Sequence, residues 1–399
     1  MTHALFLLLL LLSGSLGGEI LRLDPKSVYE LALKNNKEIQ KLEHQIKALE
    51  VDQQLAQRYY LPVVYAGASL LYDLDKRETR TNTNITVVSL LYEFQKVRTR
   101  SELSRIRKEV AQIMLRQLHL DLQLRIVKLF TEAHLYRKLA EVKREEMAIA
   151  YVRFDRARER KELGLSTDHE VYRLESLYRE KRRELLHAQQ MYNHALLETK
   201  QLAGLPYETL IELSELNFRE PSVEFTLLKD SALRENSSLK IKELEIKSYE
   251  EDIMAVKQVL KPRVNLRLST NGSGVEVSIP VYDASRHYRL EYLTSLKNSL
   301  QAEKEGIRRS VELIFFSAPY EWEYLKASLA EALAKDRFAE ENLTLRRSEY
   351  ELELAFDLGY AMAEKTEAER RLMEARYKLL LFWAKLFSLA GREPFTLLE

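Results

Sequence analysis

The chain has 399 residues, of which 62 are basic and 61 are acidic, and it contains no cysteine. The near-neutral charge disfavours nucleic-acid binding, which normally needs a basic surplus. The absence of thiols excludes disulfides, thiolate zinc sites, thiol catalysis and a lipid on an N-terminal cysteine. Charged residues make up 31% of the chain, with only 11 Gly and 8 Pro. This composition is typical of long solvated helices rather than of a compact α/β enzyme.

The first residues form an apolar run at positions 5–12, followed by small residues at positions 13–18. The run is too short to span a bilayer as a helix. The pattern predicts a secretory signal peptide over residues 1–18. The alternative is an ordinary buried N-terminal helix.

A stretch of 33 residues occurs twice, at residues 32–64 and 232–264, with ten identities and no gap. Each copy reads as a helix that ends before a proline, Pro62 or Pro262, because proline lacks the N–H that a helix needs. Strand-like sequence follows each proline. The chain is therefore predicted to contain two copies of one supersecondary unit, packed quasi-symmetrically.

The first copy begins at Asp24 and Pro25, which suit an N-cap and a first helical position. This helix is predicted to reach about residue 60. Strands at about 61–71 and 85–92 then flank a polar loop at 72–84. A helical segment of on the order of 100 Å follows at about 94–161. It is longer than any globular core requires. Gly164 ends it, and a further helix runs to Gly204.

The second copy repeats this order, with strands predicted at about 263–270 and 275–282 around a turn at 271–274. Alternation of apolar and polar residues predicts the strand register. The expected pairs are Leu268 with Val277, Leu266 with Ile279, and Val264 with Val281. A long helix at 286–350, a break near 355–359 and a last helix reaching Gly391 complete the copy.

The second hairpin separates its apolar side chains from its polar ones, as a transmembrane strand with lipid on one side and water on the other would. Four strands cannot close a barrel, and open edges are not tolerated in lipid, so several protomers would share one barrel. The alternative is a soluble hairpin packed on helices. The residues predicted to line an aqueous lumen are Asn265, Arg267, Ser269, Glu276 and Ser278.

Over residues 25–391 the ordered set of motifs resembles the TolC family of outer-membrane efflux and secretion channels. The motifs are Leu31–Asn36, Leu61–Val64, Leu91–Glu93, Leu163–Thr167, Leu202–Gly204, Ala232–Asn236, Lys261–Pro262, Ile279–Asp283 and Glu369–Arg376. The resemblance implies a mainly α fold with a small β part. In it, a homotrimer forms a helical tunnel and shares one twelve-stranded transmembrane β-barrel.

The same resemblance divides the chain into a first repeat at 19–205, an equatorial connector at 206–221, a second repeat at 222–391 and a short tail at 392–399. It implies a passive exit duct in the outer membrane of a Gram-negative-type bacterium, with its helices in the periplasm. The expected partners are a periplasmic adaptor, an inner-membrane transporter and outer-membrane lipid. No cofactor and no catalysis are expected.

The two turns between long helices are predicted to dock the adaptor. The residues are Leu163, Gly164, Leu165 and Ser166 in the first turn, and Tyr350, Glu353 and Ala355 in the second. The family's gate aspartates would fall on Gly359 and Met362, so that acidic ring is not carried over. Asp357 is the nearest gate candidate, and the simpler interpretation is an exposed carboxylate at a helix end.

Other classes of protein fit less well. His119, His134 and His194 each stand without a second ligand at metal spacing, which is typical of packed or surface histidines rather than of an enzyme site. A periplasmic adaptor would also have a signal peptide and a helical hairpin, but it would have one hairpin rather than two equal halves. A helical scaffold would explain the heptads but neither the signal peptide nor the strands.

Overall fold

The computed structural model is mainly helical with a small β part, as predicted. It describes residues 20–58, 61–73, 78–93, 96–258, 263–270, 272–279, 281–351 and 358–398. The predicted signal peptide lies outside the described residues.

The short strands at Leu21–Leu23 and Ile211–Leu213 and the division of the helix before each hairpin were not predicted, but from each hairpin onward the elements follow the predicted order of hairpin, very long helix and long helix. In chain order they are β1 (Leu21–Leu23), α1 (Pro25–Asn35), α2 (Lys37–Gln57), β2 (Val63–Asp73), β3 (Glu78–Glu93), α3 (Lys96–Glu162), α4 (Asp168–Ala203), β4 (Ile211–Leu213), α5 (Phe225–Glu235), α6 (Ser237–Lys257), β5 (Arg263–Ser269), β6 (Gly272–Ser278), α7 (Arg286–Glu351), α8 (Leu358–Leu389) and a 3₁₀ turn at Pro394–Leu397.

Contacts divide the chain into two units. Among the described residues, unit 1 contains residues 20–36, 120–225 and 316–398, and unit 2 contains residues 37–119 and 226–315. Unit 2 holds a four-stranded antiparallel sheet in the order β2-β3-β5-β6. Unit 1 holds the parallel pair of β1 and β4.

The repeat reappears in the helix boundaries. Helices α1 and α5 have 11 residues each, helices α2 and α6 have 21 each, and each pair begins 200 positions apart. The prediction of one helix up to residue 60 is wrong, because the backbone turns extended at Asn36 (ψ 114°). Its counterpart Asn236 (ψ 121°) accepts a hydrogen bond from the Leu239 N–H at 3.2 Å and caps α6. Asparagine favours such a cap over a helix interior.

The first hairpin is longer than predicted. Within the predicted loop at 72–84, residues 72–73 belong to β2 and residues 78–84 to β3, which has 16 residues. Its partner β2 has 11 residues and pairs with it from Val63 opposite Val88 to Asp73 opposite Glu78. Polarity on both faces suggested a loop, yet threonine is β-branched and fits a strand well.

The second hairpin has the predicted faces but a different register. Val264 pairs with Val277 and Leu266 with Val275, and Ser269 opposite Gly272 closes the hairpin. The predicted pairs are therefore wrong by four residues, and β6 ends at Ser278 rather than at residue 282. An even shift leaves every side chain on its own face, so the apolar pattern does not distinguish the two registers.

The connector and the C-terminal residues pack together in unit 1. The β4 strand lies beside β1, Phe218 forms a bridge with Leu398, and the Arg219 N–H donates to the Leu397 carbonyl at 3.1 Å. Phe395 and Leu397 are buried. The C-terminal tail therefore contributes to the core of this unit.

Small residues form the seam of the long helices in unit 1. The buried positions of α7 recur at intervals of seven residues, which is the spacing of a coiled-coil seam. They are Ala318, Leu325, Ala332 and Ala339, and on α8 the corresponding series is Ala361, Ala368 and Ala375. Among the described residues, no helix combines the length and apolar character needed to cross a membrane.

Candidate functional site

The register of β5 and β6 brings the predicted lumen residues onto one face of the sheet. Asn265 lies opposite Glu276, Ser278 opposite Arg263, and the remaining pairs on this face are Arg267 with Gly274 and Ser269 with Gly272. The other face carries Val264, Leu266, Leu268, Val275 and Val277. Every ionisable side chain that the structure describes in β5 and β6 thus lies on one face.

The first hairpin continues both faces. Thr86 pairs with Ser269 and donates a hydrogen bond from its Oγ1 to Ser269 Oγ at 3.3 Å, while Val87 pairs with Leu268. Val87 also pairs with Val64 across β2. The mainly apolar face therefore runs across the four strands without a described charge, and the polar residues on it include Thr83, Ser89 and Ser273. Its apolar members in the first hairpin are Val64, Ala66, Ala68, Ile85 and Val87.

Sequence reasoning did not assign these residues of the first hairpin to a face. The apolar residues Val64, Ala66 and Ala68 alternate along β2 and are a signal for one face. The many polar residues of β3 hide the matching alternation in that strand. On this apolar face Val64, Ile85, Val275 and Val277 are each more than half exposed. A contiguous exposed apolar surface of this kind indicates contact with a membrane or with another protein.

The first helix turn has a well-defined backbone. Gly164 takes φ +72°, its N–H donates to the Lys161 carbonyl at 2.8 Å, and the Leu165 N–H donates to the Arg160 carbonyl at 2.7 Å. This pattern is a Schellman motif, in which glycine avoids the Cβ penalty of the left-handed region. Thr167 then caps α4 by accepting from the Glu170 N–H at 3.3 Å.

The side chains of this turn point into solvent. Leu163 is 73% exposed and Leu165 is 65% exposed. Lys161 forms an ion pair with Asp168 across the turn, and Ser166 donates to Glu170 at 3.3 Å. The turn therefore exposes Leu163 and Leu165 on a backbone that is fixed by the Schellman motif at the end of α3 and by the Thr167 cap at the start of α4.

The second helix turn is described only at its flanks. Tyr350 is exposed in the last turn of α7, and Gly359 lies in the first turn of α8. A Cβ at Gly359 would meet Ile149 of α3 at 3.4 Å. The other predicted residues of this turn, Glu353, Ala355 and the gate candidate Asp357, lie outside the described residues.

Ion pairs join the long helices of unit 1 along the helices that flank these turns. Lys365 of α8 lies 2.9 Å from Asp336 and 2.8 Å from Glu340, both on α7. Burial disfavours its charge, but hydrogen bonds to the two carboxylates outweigh burial and raise the pKa of Lys365. On α3, Glu145 accepts from Thr366 Oγ1 at 2.9 Å, and burial raises the pKa of its carboxyl.

Two of the three histidines singled out in the sequence, His134 and His194, have structural surroundings. His134 is buried, lies 2.8 Å from the Ser214 carbonyl and has a pKa lowered mainly by burial. His194 lies on the surface beside Glu198 at 3.2 Å. In the described part of the chain, no group of three or more His, Cys, Asp or Glu is arranged to hold a metal ion.

In comparisons with known proteins, the structure has matches whereas the sequence has none. No protein-family model matches the sequence, and no curated protein matches it either. Solved structures do match over almost the whole chain. The CmeC outer-membrane channel of Campylobacter jejuni matches with a TM-score of 0.74 at 11% identity, covering 92% of this chain and 85% of that chain.

Two further structures match to a similar extent. The outer-membrane protein VceC of Vibrio cholerae matches with a TM-score of 0.72 at 13% identity, covering 92% of this chain and 96% of that one. The open state of the MtrE outer-membrane channel of Neisseria gonorrhoeae matches with a TM-score of 0.64 at 17% identity, covering 92% and 89%. The chain has the fold of the TolC-like outer-membrane channels.

Proposed function

We propose that this protein is the outer-membrane exit duct of a tripartite efflux or type I secretion system, and that it conducts substrates passively. The observation that carries the proposal is the four-stranded sheet, whose exposed and mainly apolar face has no described charge, while the described charges lie on the opposite face. Such a sheet suits lipid on one side and water on the other.

The edges of the sheet support assembly. Strands β2 and β6 stand at its two edges. Unpaired edge groups are costly in lipid, so β6 of one protomer would pair with β2 of the next until the barrel closes. Three protomers of four strands each give the twelve strands of the proposed barrel.

Exposed tyrosines support the same location. Tyr282, Tyr288 and Tyr292 follow the last strand, and they are 83%, 73% and 63% exposed. Tyrosine is enriched where a protein passes from lipid to water, because its ring is apolar and its hydroxyl polar. The start of α7 would therefore lie at the periplasmic surface of the membrane.

The partners are proposed from the family resemblance and from the first turn. The turn between the long helices α3 and α4 exposes Leu163 and Leu165. We propose that a periplasmic adaptor, itself linked to an inner-membrane transporter, binds at this turn. Exposed loops on rigid scaffolds are common binding sites. The connector at 206–221 and the tail at 392–399 would form the equatorial region.

The gate is proposed at Asp357. Three copies of this carboxylate around the axis would favour cations, so Asp357→Ala should lower the preference for cations and change the conductance in planar bilayers. Glu351→Ala, at the end of α7, is the matched control. Unchanged conductance and ion preference in Asp357→Ala would exclude this gate and leave the rest of the proposal standing.

Fractionation and conductance test the whole proposal. The protein should be recovered from the outer-membrane fraction, have the mass of three chains in detergent and form pores in planar bilayers. A water-soluble monomer obtained without detergent, or a trimer that conducts no ions, would contradict it.

A further inference from the structure

The polar face of the four-stranded sheet carries an uneven charge. Among the side chains that the structure describes on this face, those with a charge at neutral pH are Arg263, Arg267 and Glu276, and all three are exposed. Within the same described part of the chain, no ion pair joins Glu276 to either arginine. Each protomer therefore presents two positive charges and one negative charge on the face that is proposed to line the lumen.

Arg267 stands in a row of residues without polar side chains. Val63 pairs with Val88, which pairs with Arg267 in the next strand. On its other side Arg267 pairs with Gly274. A Cβ at Gly274 would meet none of the described atoms within 4 Å, so no described side chain covers this neighbour. The row thus crosses all four strands with a single charge, which is open to water and to passing solutes.

The neighbours of Arg263 are different. Arg263 pairs with Ser278 in β6 and with Glu93 in β3, which is an acidic residue. Opposite charges that face each other across two strands attract and offset one another. The ladder gives Arg267 no acidic neighbour on either side, since its partners are a valine and a glycine. Arg267 is therefore the stronger source of positive potential on this face.

The dimensions of the proposed barrel let such a charge act across the whole lumen. With about 4.8 Å between strands and a tilt of about 40°, twelve strands enclose a backbone radius of about 12 Å. An extended arginine side chain reaches roughly half of that distance toward the axis. A solute on the axis would then lie within about one Debye length, which is about 8 Å at physiological ionic strength, of all three guanidinium groups.

We propose that Arg267 of three protomers forms a ring inside the barrel that favours anions, and that the transported substrates are solutes with carboxylate, sulfonate or phosphate groups. Rings of arginine or lysine give pores a preference for anions. The inference rests on the trimeric channel proposed above, and it adds the charge of the substrate. The Asp357 gate proposed there would act in the opposite direction, so each ring needs its own variants.

Ion selectivity in planar bilayers tests the ring. Under a gradient of KCl, the reversal potential gives the permeability of chloride relative to potassium. Arg267→Gln should lower this ratio about threefold, whereas Arg267→Lys keeps the charge and should leave the ratio unchanged. Glu276→Gln should raise the ratio, and Arg263→Gln should lower it by less than Arg267→Gln does. Asp357 is intact in each of these variants, so the differences arise in the barrel.

Organic ions extend the test to the proposed class of substrate. The permeability of benzoate relative to tetraethylammonium should fall in Arg267→Gln by a similar factor, and Arg267→Lys should again match the unsubstituted protein. An unchanged ratio for these organic ions would contradict the assignment of anionic substrates.

Chemical modification tests the same position after assembly. The chain has no cysteine of its own, so Arg267→Cys introduces a single thiol. A methanethiosulfonate reagent with an ammonium group should restore the chloride preference of the assembled channel, and one with a sulfonate group should lower it further. Both effects should shrink at about 1 M salt, where the Debye length is about 3 Å.

Equal ion preference in Arg267→Gln, Arg267→Lys and the unsubstituted protein would overturn the arginine ring and leave the channel proposal intact. A shift of the same sign in Arg267→Gln and Glu276→Gln would overturn the ring as well, because a charge effect changes sign with the charge. If Arg267→Gln does not assemble, equal preference after the two reagents on Arg267→Cys would overturn it. An unsubstituted protein that forms no pores would overturn both proposals.

Discussion

The two copies of the repeat agree in their helices and differ in their hairpins. Helices α1 and α5, and likewise α2 and α6, have equal lengths and begin 200 residues apart. The first hairpin has strands of 11 and 16 residues, whereas both strands of the second have 7. Yet the two hairpins share one sheet with common faces.

The difference shows which part of the repeat is constrained. A helix boundary is set by local capping and by packing on both neighbours, so an insertion would break the seam. A hairpin can lengthen at its free end without disturbing the register at its base, because pairing continues outward. The two copies have therefore kept the same helix lengths, while the free ends of their hairpins have diverged in length.

The largest expected effect distinguishes the two faces of both hairpins. Arg267→Cys should react with a membrane-impermeant thiol reagent, and the neighbouring Leu268→Cys should not, because it faces lipid. In the first hairpin, the exposed Tyr65, which pairs with Thr86 on the polar face, should as Tyr65→Cys behave like Arg267→Cys, and Val64→Cys should behave like Leu268→Cys. Opposite labelling in one hairpin alone would show that the two hairpins do not share faces.

The next effect concerns the first helix turn. Gly164→Pro should weaken adaptor binding by at least about tenfold, since proline cannot take φ +72° and removes the N–H that donates to Lys161. The trimer should still assemble. Gly164→Ala keeps the N–H and is the matched control in a pull-down or titration with the adaptor. Undiminished binding by the proline variant would place docking elsewhere.

Two glycines of like conformation give a smaller effect. Gly164 and Gly204 take φ +72° and +68°, but a Cβ at Gly204 would lie 2.5 Å from the Asn35 side chain and one at Gly164 would meet nothing within 4 Å. Gly164→Ala should cost about 1 kcal/mol and Gly204→Ala about 2–3 kcal/mol, because Asn35 would also lose its bond to the Ala203 carbonyl. Denaturant unfolding in detergent measures both. Equal losses would show that Asn35 moves aside freely.

The smallest effect is a pH dependence of opposite sign at two glutamates of α3. The hydrogen bond from Arg105, aided by Lys247, lowers the pKa of Glu102 to about 2 from the ordinary 4.5. This contribution to stability is present above the ordinary pKa and is lost as the pH falls toward 2. Glu102→Gln should lower the thermal midpoint at about pH 7 and have progressively less effect below about pH 4.

Glu145 should behave in the opposite way. Its pKa is raised by burial, so the ionised form destabilises the fold, and stability falls as the pH rises through the raised value. Glu145→Gln should raise the thermal midpoint at about pH 7 and leave it unchanged at about pH 4, where the carboxyl is protonated in both states. A loss of stability at neutral pH would show that the bond from Thr366 outweighs burial.

Much of the candidate site could be predicted from local pattern. The two copies, the position of both hairpins, the polar and apolar faces of the second hairpin and the turn at Gly164 all follow from period, breakers and caps. These signals depend on neighbours within a few residues, which one sequence displays directly. The split at Asn36 and Asn236 also has a sequence signal, because a cap-forming asparagine occurs at this position in both copies, but helix propensity on both sides conceals it.

The sequence by itself determined the duplicated order of helix, hairpin and long helix, and which face of β5 and β6 is apolar. Only the tertiary structure decided the register of that hairpin, the continuation of β3 through its threonines and the pairing of β3 with β5. It also decided which long helices of unit 1 are joined by ion pairs, namely α3 with α4 and α8, and α8 with α7. The reason is physical: alternation specifies a face but is unchanged by an even shift, and partners distant in sequence are chosen by pairing and packing energies that no local pattern contains.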